Sequence, residues 1–257
     1  MTVTATQIPP IWCPIEPRTH PGAATFEERS RLWLAEFNMD ERSLRRAAAT
    51  STGALASSWA PDGDDEGVQL LSDWLVWALL FDDHYCDAGQ MAAQPVEFNP
   101  LVARLMHHAL YPEHHLPGDP VFEAFRATLV DLMRRIQARA DPQLSHLCSL
   151  AHFIWAMAAA CGVSDRSGNT VRSLDEHLII RPPDGSYLLS IYMTEVAEGT
   201  ALPAHERVSP HVRALTEAAG ILLTVPTDLA SYAHEEQQQC LESNLVHILS
   251  LEHSCST

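Results

Sequence analysis

Residues 68–87 read VQLLSDWLVWALLFDDHYCD, and this stretch decides the fold class. Through Phe81 it is apolar on nearly every side, with Trp74, Trp77 and Phe81 close together, and the pattern predicts a helix over 68–84. A helix without a wet face belongs at the centre of a bundle. At its end the character reverses. Asp82, Asp83 and Asp87 repel one another at the negative end of the helix dipole. A cation would relieve this, and hard carboxylate oxygens suit Mg²⁺ or Mn²⁺. In an α-helix Asp83 and Asp87 share a face, whereas Asp82 and Asp87 stand about 140° apart. Chelation by Asp82 with Asp87 therefore requires the helix to end or loosen there. The plain alternative is a solvated helix end.

Working outward, most of the chain repeats a helical pattern. Pro9, Pro10, Pro14, Pro17 and Pro21 predict an extended arm over 1–23. Helices follow over 25–39 and 40–59, then a turn at 61–67. Beyond the central helix the pattern predicts a loop at 112–120 and helices over 121–140 and 144–161, the latter ended by a loop at 162–169. A helical stretch over 173–198 is broken by Pro182, Pro183 and Gly185, and one or two helices occupy 206–235. Alternating β-type runs are few and no repeat is present. The expectation is a single all-α domain over 1–257 with eight or nine helices.

Composition narrows the function. The 257 residues are 46% hydrophobic and 19% charged, a globular profile. Sixteen basic residues against 33 acidic ones leave a net charge of −17, which disfavours nucleic acid as a partner. All the basic residues are arginine, so a Schiff-base or phosphate-cradling lysine is excluded. The cysteines at 13, 86, 148, 161, 240 and 255 form no C-x-x-C pair and read as reduced thiols of a cytoplasmic protein. The N-terminus has no signal-peptide pattern, and no run reaches the roughly 18 apolar residues of a membrane span. His107, His108, His114 and His115 read as surface residues, because no zinc motif accompanies them.

A second polar stripe lies at 227–235. Thr227, Ser231 and Glu235 fall at i, i+4 and i+8, which stacks two hydroxyls and a carboxylate on one helix face. Such an oxygen-only row suits a hard cation. Two plainer readings are that Thr227 caps a helix and that Ser231 bonds back to the i−4 carbonyl.

Together these stretches resemble the class I terpene synthases of bacteria. The aspartate-rich motif D-D-x-x-x-D/E matches Asp82, Asp83 and Asp87, and N-D-x-x-S-x-x-K/R-E is similar to the run from Thr227 to Glu235. Arg181, 46 residues before Thr227, looks like the family's diphosphate-sensing arginine, with Asp184 and Gly185 as its linker aspartate and effector glycine. Cys13-Pro14-Ile15, His20-Pro21 and Leu71-Ser72-Asp73-Trp74 also look like the family.

The resemblance implies a helical bundle around a central apolar cavity. It implies three Mg²⁺ ions (Mn²⁺ as a substitute) held by Asp82, Asp83, Asp87, Thr227, Ser231 and Glu235 against a prenyl diphosphate, the C15 farnesyl compound foremost. Arg181 and His234 would contact that diphosphate. The carbocation left by ionisation would cyclise among aromatics such as Trp74, Trp77, Phe81, Phe153 and Trp155, which at helical spacing are equally ordinary core.

Three departures bear on that reading. Thr227 replaces an asparagine or aspartate, and His234 replaces a lysine or arginine. Family members also continue for further helices and end with an Arg-Tyr pair that this sequence lacks, so the expectation is a bundle whose last helices are missing, with one wall open or covered by a homodimer partner. Three readings stand at this point: a terpene cyclase, a chain-elongating prenyltransferase, and an inactive helical binding protein.

Overall fold

The computed structural model describes residues 12–87, 89–116 and 120–255. Residues 1–11 of the proline-rich arm lie outside the described residues; 12–20 run without helix and largely exposed up to α1. The helices are α1 (Ala23–Glu36), α2 (Glu41–Ala47), α3 (Thr52–Trp59), α4 (Asp65–Phe81), α5 (Pro95–Leu110) and α6 (Pro120–Arg139). They continue with α7 (Pro142–Gly168), α8 (Leu174–Asp184), α9 (Tyr187–Glu198), α10 (Ala204–Arg207), α11 (Pro210–Gln238) and α12 (Leu245–His253). A π-helical turn, Asp82–Asp87, extends α4. Among the described residues there is no strand.

As its composition requires, α4 is the central helix, packed by α1, α3, α6 and α9. Asp64 starts it by accepting a hydrogen bond from the Gly67 amide. Trp74, Trp77 and Phe81 are buried with Trp155, so these four are core residues, and Phe153 alone of the expected cavity aromatics is exposed. Trp77 stacks on Phe81 and donates its indole N–H to the Phe125 carbonyl, 3.0 Å away. One carboxylate lies inside this apolar body. Asp73 accepts from Ser30, Gln69 and Arg135 at 2.7–2.8 Å, which ties α1, α4 and α6 together.

Three expectations fail locally. The helix over 40–59 is two helices, because Thr50 turns its hydroxyl onto the Ala47 carbonyl and closes a turn between them. The loop at 162–169 is instead the end of α7. Arg166 bonds the carbonyls of Ala92 and Cys86, Asp165 pairs with Arg172, and the helix stops only at Asn169, whose φ is 47°. These long-range partners outweigh the weak local propensity. His108, expected at the surface, is fully buried, since it continues the inward stripe of Leu101 and Leu105 on α5.

Helix α7 is long and apolar enough to cross a membrane by composition, yet half of that window is buried in the bundle, against α5, α8 and α9. Apolar side chains stay uncovered on α7 (Leu150, Ile154, Met157), α8 (Ile179) and α11 (Leu215, Leu222).

Candidate functional site

The π-turn settles which aspartates meet. Its i→i+5 bonding widens the helix, so residues five apart stack, as residues four apart do in an α-helix. Asp82 and Asp87 therefore share a face, and the charge of Asp87 bears on Asp82. The loosening that chelation by Asp82 with Asp87 requires is thus present, as a π-turn. Asp83 turns the other way and forms an ion pair with Arg46 of α2. Its carboxylate ties α2 to the turn.

Opposite this pair stands the break between α8 and α9. Pro182 and Pro183 supply no amide hydrogens, and Ser186 takes a left-handed φ of 54°, so the chain bends and restarts at Tyr187. Gly185 permits a close approach here. A Cβ on it would collide with the Thr224 methyl of α11. Conversely, Tyr187 packs over Gly220 of the same helix. The break thus nests into α11.

Arg181, in the last turn of α8, joins the two walls. Its Nε donates to Asp228 Oδ1 at 2.8 Å, one terminal nitrogen to Asp184 at 3.1 Å, and the other to the Thr227 hydroxyl at 3.0 Å. Burial works against its charge, but Asp184 and Asp228, with a further contribution from Asp82, outweigh burial and hold the proton firmly. Asp228 is the residue that the motif reading missed as a site member. Burial alone would raise its carboxyl pKa. His177, Arg181 and the Leu245 amide overcome that and hold it below the ordinary value. It lies off the i, i+4, i+8 stripe, so no periodicity marks it. The available signal was an acid flanked by Thr227 and Leu229 in an apolar helix, which demands a cationic partner.

The stripe itself is partly committed to its own helix. Thr227 sits in mid-helix, not at a cap, and bonds to the Thr224 carbonyl at 2.6 Å, while Ser231 bonds back to the Thr227 carbonyl at 2.9 Å. Glu235 is held by Asn244 at 2.9 Å. His234 is exposed, with Nε2 2.9 Å from the Gln238 amide nitrogen. Burial, then the charges of Glu235 and Glu242, raise the Cys240 thiol beside this stripe.

The electrostatics of the aspartate pair are those of a site short of positive charge. Burial, then the charges of Asp87 and Asp184, raise the Asp82 carboxyl well above its usual value. Asp87 is raised by burial as well, opposed by Arg166, whose guanidinium is 3.8 Å away. The Asp87 side chain itself is 61% exposed. Cys86 stays a protonated thiol bonded to Asp82, because burial and the neighbouring carboxylates disfavour a thiolate. Arg166 escaped the sequence reading because it lies in the segment expected to be a loop.

The donor set fits a hard divalent cation. The available atoms are carboxylate and hydroxyl oxygens, and ionising Asp82 and Asp87 together calls for a positive charge between them. Among the described residues no three His, Cys, Asp or Glu side chains converge on one point. An ion here would complete its shell from water and a ligand, as Mg²⁺ does.

Comparison with known proteins bears on the family and the fold. The family model "Terpene synthase family 2, C-terminal metal binding" matches residues 73–257. Spiroviolene synthase of Streptomyces violens is 29% identical over 256 residues, covering 98% of this chain and 70% of the relative. The farnesyl diphosphate-cyclizing 4-epi-cubebol synthase of Streptosporangium roseum is 27% identical, over 95% and 73% of the two chains. The crystal structure of the SVS_A2 protein, from ancestral sequence reconstruction, superposes with a TM-score of 0.86 at 26% identity, covering 97% of this chain and 74% of that one.

Proposed function

The chain belongs to the class I terpene synthase family, and from that premise we propose that it is a Mg²⁺-dependent cyclase of a linear prenyl diphosphate, with C15 farnesyl diphosphate as substrate. Asp82 and Asp87 hold divalent ions on one wall, and Ser231 and Glu235, with the Thr227 hydroxyl, on the other. Bound Mg²⁺ (Mn²⁺ as a substitute) would neutralise the diphosphate and stabilise it as a leaving group.

The observation that carries this reading is the triple engagement of Arg181. One guanidinium spans the helix break and α11 beside the aspartate pair, so an anion placed there meets a fixed donor and both ion-binding walls. Its partners Asp184 and Thr227 are the ones a diphosphate would displace or share, while buried Asp228 keeps the side chain aimed. Arg166 adds positive charge on the far side of Asp87. Farnesyl diphosphate is the substrate printed in the names of two relatives, the 4-epi-cubebol and (+)-T-muurolol synthases.

The test is incubation of the purified chain with Mg²⁺ and C10, C15 or C20 prenyl diphosphates, followed by analysis of volatiles and of diphosphates. Cyclic C15 hydrocarbons or alcohols are expected. Longer diphosphates would make the chain an elongating prenyltransferase. Absence of turnover by folded protein would favour the binding-protein reading, to which the commitment of Thr227 and Ser231 to helix carbonyls lends support.

A further inference from the structure

The turn between α11 and α12 reaches back over the stripe that precedes it. Asn244 is 1% exposed, and all its amide atoms are engaged. Its Nδ2 donates to the Asp228 carbonyl and to Glu235 Oε2, each at 2.9 Å, while its Oδ1 accepts from the Val246 amide at 3.0 Å and caps α12. The next amide, Leu245 N–H, donates to Asp228 Oδ2 at 3.0 Å. Two consecutive residues therefore clamp the two helical turns that present Ser231 and Glu235. Glu235 lies in the last turn of α11, and a glutamate there has rotamer freedom to lose. A neutral amide fixes its carboxylate without adding charge to a site that already holds Asp82, Asp87 and Asp184.

We propose that Asn244 is a positioning residue for Glu235: its buried amide holds one carboxylate oxygen so that the group presents a fixed face to a divalent ion. This rests on the reading of Glu235 as an ion donor given above. Because the same side chain starts α12, the seating of that helix and the orientation of the donor are one event. An ion held on that wall in turn favours the docked turn. Partners one shell out from a metal typically change its affinity by about 10–100-fold when removed.

The experiment is a thermal-shift titration with Mg²⁺ in the presence of inorganic diphosphate. The proteins are the wild-type chain, Asn244→Ser, Glu235→Gln and the double variant. Serine still caps α12 but is too short to reach Glu235. We expect Asn244→Ser to weaken the apparent Mg²⁺ affinity about tenfold or more. The double variant should bind no more weakly than Glu235→Gln alone, because Asn244 acts through that carboxylate. Wild-type affinity in Asn244→Ser, or losses that simply add in the double variant, would overturn the positioning role while leaving the ion site standing. If serine prevents folding, Asn244→Thr takes its place in the same cycle. A wild-type chain that does not respond to Mg²⁺ with diphosphate would overturn the ion-site reading itself, and the positioning role with it.

Discussion

Replacing Gly185 by alanine isolates what the helix break owes to its fit against α11. Gly185 has an ordinary φ of −73°, so alanine suits the backbone, and the chain entropy it removes from the unfolded state would stabilise by about 0.4–1 kcal/mol. Against this, its Cβ would overlap the Thr224 methyl, while Thr224 Cβ and the Arg181 carbonyl stay at an acceptable 3.6 Å. Overpacking of this kind costs about 1–3 kcal/mol, so Gly185→Ala should destabilise by about 1–2 kcal/mol net. Thr224→Ser removes only the colliding methyl and keeps the hydroxyl that bonds the Gly220 carbonyl at 2.9 Å. Alone it should cost about 1 kcal/mol for one buried methyl. The double variant should then fall within about 0.5 kcal/mol of wild type, a coupling near 2 kcal/mol. Urea unfolding of the four proteins measures this directly, and turnover with a prenyl diphosphate shows whether Arg181, in the same turn, recovers with the fit. Destabilisations that merely add would refute the argument, since the methyl would then not be what requires glycine at 185.

Three further outcomes are expected. In the absence of divalent ions, stability should fall as pH rises from the ordinary carboxyl range near 3.8, because folded Asp82 and Asp87 retain protons that the unfolded chain releases. Urea midpoints against pH should show this slope flattened by Asp82→Asn and by Mg²⁺ with diphosphate. His152 acts in the opposite direction. Burial lowers its pKa to about 4, so its contribution is present above pH 6.5 and is lost between 6.5 and 4, on the order of 3 kcal/mol; the same midpoints for His152→Gln should lose that acid-side decline. Finally, Arg181→Lys keeps the charge but cannot fork to Asp228, Asp184 and Thr227. It should cost about 2–4 kcal/mol of stability and lower turnover at least tenfold, read by urea unfolding and product assay; wild-type values in both would discard the bridging role given to this arginine.

The bundle was legible where composition is extreme. A helix as apolar as 68–81 has one place to go, and the break expected around Pro182, Pro183 and Gly185 falls at Gly185-Ser186, with both prolines in the last turn of α8. The stripe at Thr227, Ser231 and Glu235 was legible because helical periodicity is a local property. What stayed hidden depends on distant partners. Arg166 is helical because Ala92 and Cys86 offer it carbonyls, and no window around residue 166 contains them. Asp228 and Asn244 matter through contacts across helices; Asp228 fills the D of the second motif but lies off the helical stripe, and Asn244 has no spacing to betray it. That Asp82 and Asp87 meet through a π-turn rather than a helix end is a matter of backbone hydrogen bonding, for which side-chain identities give no cue.

That bonding pattern has a consequence for how such a site can evolve. A π-turn amounts to one residue more than an α-helix would use over the same length. Deleting one residue between Asp82 and Asp87 would let the ladder close as α with the two acids four apart and still on one face, whereas closing the ladder as α at the present length would turn them apart. Spacing and hydrogen-bond pattern must therefore change together: five residues need the wide turn, four the ordinary one, and either pairing keeps the acids on one face.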